Sequence, residues 1–192
     1  MRHHLLSGLL SVGSLSLLFV ACDAPGRVAE PSRLSASGSS ALSDVGPAHP
    51  IELLDQCDPT TFNLAIGPGT CMSTHTGIKF DKFISDLIAN QSAPAWRNAP
   101  QNFTAALGTQ LVAVNKGGEV HTFTHVAKFG GSIVPELNAV LGGVAPAPEC
   151  LAAGPGEFLL PGGIDAETVN TPGTALYQCC IHPWMQTTIT VR

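Results

Sequence analysis

From Pro100 to the C-terminus the chain breaks into short β-type runs separated by Gly and Pro, at 103–107, 110–115, 120–127, 157–160, 166–169, 174–179 and 187–191. Runs of this length, each closed by turn residues, predict a two-sheet β-sandwich. The last run sets Ile189 and Val191 against Thr188 and Thr190, the alternation of a strand with one buried face. Upstream the texture differs. Phe80, Phe83, Ile84, Leu87 and Ile88 recur at three- and four-residue intervals, which predicts a short amphipathic helix ending by Ser92, ahead of Pro94. The expected role of that helix is to pack on the sandwich.

The N-terminus carries Arg2, an apolar run over 5–20, and then Ala21 and Cys22. This is the pattern of a signal peptide over 1–21, too short to span comfortably as a mature helix. Phe19, Val20, Ala21 and Cys22 also resemble a bacterial lipobox, which predicts lipidation of Cys22 and an exported domain tied to a bacterial membrane, on its periplasmic or cell-surface side. Ser, Ala, Pro and Gly dominate 22–50 with no apolar period, the composition of a disordered tether. The remaining 140 or so residues suit one core, divided here into an N-terminal extension with the helix at 51–99 and the sandwich at 100–192. With nine Lys and Arg and a net charge of −5, the chain lacks the basic surface that nucleic acid requires. Gly117 with Gly118 and Gly130 with Gly131 read as ordinary turns.

Cys179, His182 and Met185 follow one another at three-residue intervals, placing a thiolate, an imidazole and a thioether on one short loop. An ion that cycles between Cu(I) and Cu(II) is served by this mixture of soft sulfur and imidazole nitrogen, with a thioether as weak axial donor. The missing second imidazole is available at His121. His125 is the alternative, but four residues of strand span about 13 Å, so only one of the two suits a single ion, and His125 is read as structural. Glu119, two residues before His121, is the candidate for an additional ligand.

This constellation resembles the cupredoxins, and within them the amicyanin and plastocyanin branch. There an Asn ends one strand, the first His ligand follows six residues later, and Cys, His and Met share the loop before the last strand. Asn115, His121, Cys179, His182 and Met185 match that pattern, over roughly residues 100–192. The resemblance implies an all-β, cupredoxin-like Greek-key sandwich holding one mononuclear type 1 copper, and a non-enzymatic one-electron carrier. It further implies that Asn115 secures the loop of His121 by hydrogen bonds, and that a partly exposed His182, with Pro183 and Trp184, receives the redox donor and acceptor. Two features depart from the family: Cys180 directly follows the ligand Cys, and a Gly/Pro-rich insertion occupies about 129–163. With Cys22 assigned to lipid and Cys179 to copper, Cys57, Cys71, Cys150 and Cys180 remain for disulfides. They allow three connectivities, of which Cys57 with Cys71 and Cys150 with Cys180 is favoured. The same residues are compatible with a protein that buffers or delivers copper, with a copper enzyme using Glu119 near the metal, and with a metal-free structural or interaction module.

Overall fold

The computed structural model describes residues 47–192, so the expected signal segment, Cys22 and nearly all of the expected tether lie outside the described residues. Among the described residues eight strands form two sheets. The first has the order β2 (Arg97–Ala99), β1 (Ala48–Leu54), β4 (Gln110–Asn115), β6 (Ile164–Thr168). The second has the order β3 (Asn102–Ala105), β8 (Gln186–Val191), β7 (Gly173–Gln178), β5 (Thr124–Val126). The pairs β1 with β4 and β3 with β8 are parallel, and the remaining neighbours are antiparallel. The result is the two-sheet, all-β sandwich that the spacing of the runs predicts.

Alternation decides which side chains enter the core. Leu111, Ala113 and Asn115 of β4 are buried while Gln110, Val112 and Val114 are only half-buried. On β8, Thr187, Ile189 and Val191 face inward, as the period of two requires. Ile51, Leu53, Leu111 and Ala113 of the first sheet share a core with Ala105, Tyr177, Ile189 and Val191 of the second.

The segment expected as an extension contributes two strands to this sandwich. β1 begins at Ala48, inside the stretch expected as tether, and buries Ile51 and Leu53 completely. Pro50 hides the strand from a sequence reading, because proline supplies no ladder donor. It is tolerated because β2 pairs only with Glu52, Leu53 and Leu54, so one side of the strand is open at Pro50.

Two helices connect β1 to β2. α1 (Pro59–Ala65) starts where the Asp58 carboxylate accepts the Thr61 N–H at 2.9 Å, with Pro59 in the first turn where its missing N–H costs nothing. α2 (Phe80–Asn90) forms as its periodicity predicts and buries Phe83 and Leu87. It stops at Gln91, which takes a left-handed conformation and donates its N–H to the Leu87 carbonyl. A disulfide between Cys57 and Cys71 closes the loop around α1. Phe62 of α1, Phe83 of α2 and Trp96 pack ring against ring, with Trp96 4.5 Å from Phe83 and 5.6 Å from Phe62.

Two expected strands are largely absent. At 157–160 a 3₁₀ turn over Pro155–Glu157 leads into a single bridge between Leu159 and His121. The run 120–127 is correspondingly split. His121 exchanges both backbone hydrogen bonds with Leu159, and only from Thr124 onward does the chain pair with β7. The change of partner breaks the ladder at Thr122 and Phe123. The insertion folds into two further short helices, α3 (Pro135–Val140) and α4 (Pro148–Ala152), and a Cys150–Cys180 disulfide pins α4 beside the Cys179 loop. Both disulfides are thus the favoured pairs.

If β1 is part of the core, Ile51→Ala should destabilise the protein by about 2–5 kcal/mol, read as a shift of the urea midpoint with an unchanged m-value. A variant within about 0.5 kcal/mol of wild type would mean that this strand is dispensable.

Candidate metal centre

Cys179 immediately follows β7, and the chain returns within six residues to begin β8. Backbone hydrogen bonds make the turn rigid: Cys179 N–H to the Met185 carbonyl at 3.0 Å, and Met185 N–H to the His182 carbonyl at 2.9 Å. The Gln186 side chain adds a bond to the Pro183 carbonyl at 2.8 Å. His121 arrives from the facing segment, held in register by its bridge to Leu159.

The three donors converge. Cys179 Sγ lies 3.7 Å from His121 Nδ1 and 3.8 Å from His182 Nδ1, and all three ligand atoms fall within 4.8 Å of one another. A metal–sulfur bond of about 2.3 Å and a metal–nitrogen bond of about 2.05 Å set 120° apart separate their donors by about 3.8 Å, whereas a tetrahedral angle would bring them to about 3.55 Å. The two observed sulfur–nitrogen spacings leave room for one ion between a thiolate and two imidazoles, a mixture of soft sulfur and imidazole nitrogen. Cys179 is the one cysteine outside a disulfide among the described residues. Met185 is completely buried on the same loop, tied by its backbone to both Cys179 and His182.

The sulfur is prepared for ionisation. Backbone N–H groups of Thr122 and His182 point at Sγ from 3.4 and 3.5 Å. Burial alone would raise the thiol's pKa; hydrogen bonds to His121 and His182, and the charges of those rings, hold it well below the ordinary value. Burial would likewise lower the His182 pKa, but Cys179 and Glu119 push it up to about 10. The same contacts thus favour the thiolate of Cys179 and the charged imidazole of His182 together.

Each imidazole turns one nitrogen to the sulfur and the other to a carboxylate. His121 Nε2 meets Asp55 Oδ2 at 2.8 Å, with both side chains fully buried. His182 Nε2 stands 3.5 Å from Glu119 Oε2, which also accepts the Trp96 indole N–H. Glu119 thus lies outside the converging group, against the ring nitrogen that faces away from the sulfur. Asn115 ties the neighbouring segments together: its amide donates to the Glu119 and Leu159 carbonyls at 2.7 and 2.8 Å and accepts the Gly117 N–H at 2.9 Å. Gly117 and Gly118 are more than turn residues. A Cβ on Gly117 would lie 1.9 Å from Asp55 Oδ2, and one on Gly118 would lie 2.8 Å from Cys57 Sγ.

Two further expectations meet the structure here. His125 is exposed and rests against Tyr177, away from the cluster. The predicted exposure of His182 is corrected: it is 3% exposed, and Pro183 is buried, leaving only Trp184 half-exposed. The cause is the N-terminal extension and the insertion, whose Phe62, Phe80, Phe83 and Leu137 wall a cavity of about 380 Å³ over Glu119 and His182. Asp55 and Trp96, which the sequence reading did not single out, come from that extension. An acidic residue following the buried alternation of β1 was their only advance signal.

No protein-family model matches the chain, and no curated protein does. Among solved structures it is similar to a novel purple cupredoxin from Nitrosopumilus maritimus, at 16% identity and a TM-score of 0.39, over 74% of this chain and 98% of that one. It is also similar to a mutant plastocyanin of fern, at 16% identity and a TM-score of 0.39, over 75% of this chain and 100% of that one. A mutant amicyanin in its Cu(I) form matches at 14% identity and a TM-score of 0.34, over 50% of this chain and 73% of that one. With TM-scores below 0.5 these likenesses carry no weight on the chemistry, which rests on the converging donors.

Asp55 links the site to stability. Burial would raise its pKa, but hydrogen bonds from His121 and from the Glu119 and Cys57 N–H groups, with the His121 charge, lower it from 3.8 to about 2. A carboxylate depressed in the folded state contributes stability that is whole above pH 3.8 and lost as pH falls through 2. In metal-free protein, wild type should therefore lose about 2 kcal/mol more than Asp55→Asn between pH 5 and pH 2. Urea titrations at both pH values measure this; parallel acid limbs would show that the carboxylate is not stabilised by folding.

Proposed function

We propose that this chain is a type 1 copper protein that carries single electrons, exported and anchored to a bacterial membrane through a lipid on Cys22. The observation that supports this reading best is the convergence of His121 Nδ1, Cys179 Sγ and His182 Nδ1 within 4.8 Å of one another in a buried pocket. Copper bound there would supply a one-electron couple.

The chain's own groups define how such a site works. Cys179 provides a thiolate already stabilised by the N–H groups of Thr122 and His182. Asp55 and Glu119 stand behind the two rings and leave each Nδ1 free toward the sulfur. The closed loop from Cys179 to Met185, the bridge from His121 to Leu159 and the bonds of Asn115 hold the donors in place from two sides. A pocket rigid in this way resists rearrangement when the ion's charge changes, which favours rapid electron exchange over substrate chemistry. Phe62, Phe83 and Trp96 pack ring against ring beside the pocket and give it an apolar wall. Redox donor and acceptor dock on the side of His182, Pro183 and Trp184, where Trp184 is the member of the three nearest the solvent and lies 5.5 Å from the His182 ring.

Copper-loaded protein should show an intense visible absorption from thiolate to Cu(II), and Cys179→Ser should abolish it while the fold, read by circular dichroism, persists. A colourless Cu(II) protein with an intact fold overturns the assignment. The anchor is tested separately in a bacterial host: wild type should sediment with membranes and Cys22→Ser should release the exported domain into the soluble fraction. Equal partition of the two would exclude lipid on Cys22.

A further inference from the structure

The strongest unassigned feature is the buried carboxylate behind His121. Asp55 follows β1 directly, and its two oxygens are fixed by three donors: the Cys57 N–H at 3.1 Å on Oδ1, and the Glu119 N–H at 2.9 Å and His121 Nε2 at 2.8 Å on Oδ2. The position is built from both sides. Cys57, two residues on, is clamped by its disulfide to Cys71 and by a bridge to Ile78. On the other side Gly117 approaches so closely that a Cβ there would collide with Oδ2, so this loop admits the carboxylate only because residue 117 has no side chain.

We propose that Asp55 is a positioning residue of the copper site, fixing His121 with its Nδ1 toward the ion and biasing the bound metal toward its oxidised state. The inference rests on the copper reading above. Its geometric half follows from the tautomer. A carboxylate facing Nε2 accepts a hydrogen bond from the proton held there, which leaves the Nδ1 lone pair as the metal donor. Its electrostatic half follows from burial. A full negative charge one imidazole ring away from the metal, with neither partner exposed to solvent, is poorly screened. That charge stabilises Cu(II) more than Cu(I) and so lowers the reduction potential. Glu119 behind His182 is a weaker counterpart: its distance is 3.5 Å, and its oxygen is shared with the Trp96 indole.

Asp55→Asn removes the charge while its amide oxygen still accepts from Nε2 and from the Glu119 N–H; the bond it gives up is the longer one from the Cys57 N–H. In copper-loaded protein whose visible band is retained, the Cu(I)/Cu(II) ratio at a fixed applied potential should rise about tenfold, equivalent to a potential higher by about 59 mV for a one-electron couple. A rise of less than threefold, or a fall, overturns the proposal. A merely structural carboxylate would change the melting temperature without moving this ratio. Should the variant fail to fold or load, histidine-labelled wild type in the Cu(I) form provides the second measurement. The His121 Nε2 proton should be visible by nitrogen-correlated NMR and protected from exchange with water; an Nε2 without a proton overturns the proposal. The two readings remain distinguishable. Wild type that takes up copper without colour sinks the type 1 assignment, whereas a coloured wild type with an unmoved Asp55→Asn potential sinks the role of Asp55 alone.

Discussion

Everything in this molecule is arranged around a buried thiolate. Removing a charged sulfur from water is unfavourable unless other groups take over its solvation, and here they come from three separate parts of the chain. The Thr122 and His182 N–H groups point at it, and two imidazoles flank it. Those imidazoles are themselves buried and are steadied by carboxylates from residues 55 and 119. The sandwich brings these shells together because the Cys179 loop lies between two strands of one sheet, while Asp55 and Asn115 lie at the ends of adjacent parallel strands of the other.

The part of the converging group that lies on one loop was legible in the sequence because it is local. Cys179, His182 and Met185 are three residues apart, and His121 keeps a fixed offset from Asn115. The strands β4, β7 and β8 were legible because their alternation of apolar and polar residues is regular. What escaped was non-local or disguised. β1 carries a proline and follows a polar stretch, so its membership in the core depends on a parallel partner nearly sixty residues away. The strand expected at 157–160 has suitable residues but only one bridge, since after His121 the facing segment changes partner and pairs with β7 from Thr124 onward.

The burial of His182 shows how an addition to a fold changes its surface chemistry. In the pattern that the sequence resembles, the second imidazole is the exposed point of contact. Here α1, α2 and α3 supply an aromatic and aliphatic roof, and Trp96 reaches through it to hold Glu119 against the ring. The extension is therefore part of the site as well as of the core. It delivers one carboxylate directly, through Asp55, and orients the other, through Trp96.

Cys179 and Cys180 are chemically identical neighbours with opposite fates. Successive residues of an extended chain face opposite ways, and the two sulfurs accordingly enter different clusters: Cys179 joins the main core with Met185, Cys180 a smaller one with Cys150, Val126 and Ala147. It is thus the pairing register of β7 with β8 and β5, set by backbone geometry, that sorts one sulfur toward coordination and its twin toward oxidation. A slip of a single residue would exchange them, leaving a cystine between the two imidazoles. Faithful strand alignment is what keeps an unoxidised sulfur beside His121 and His182.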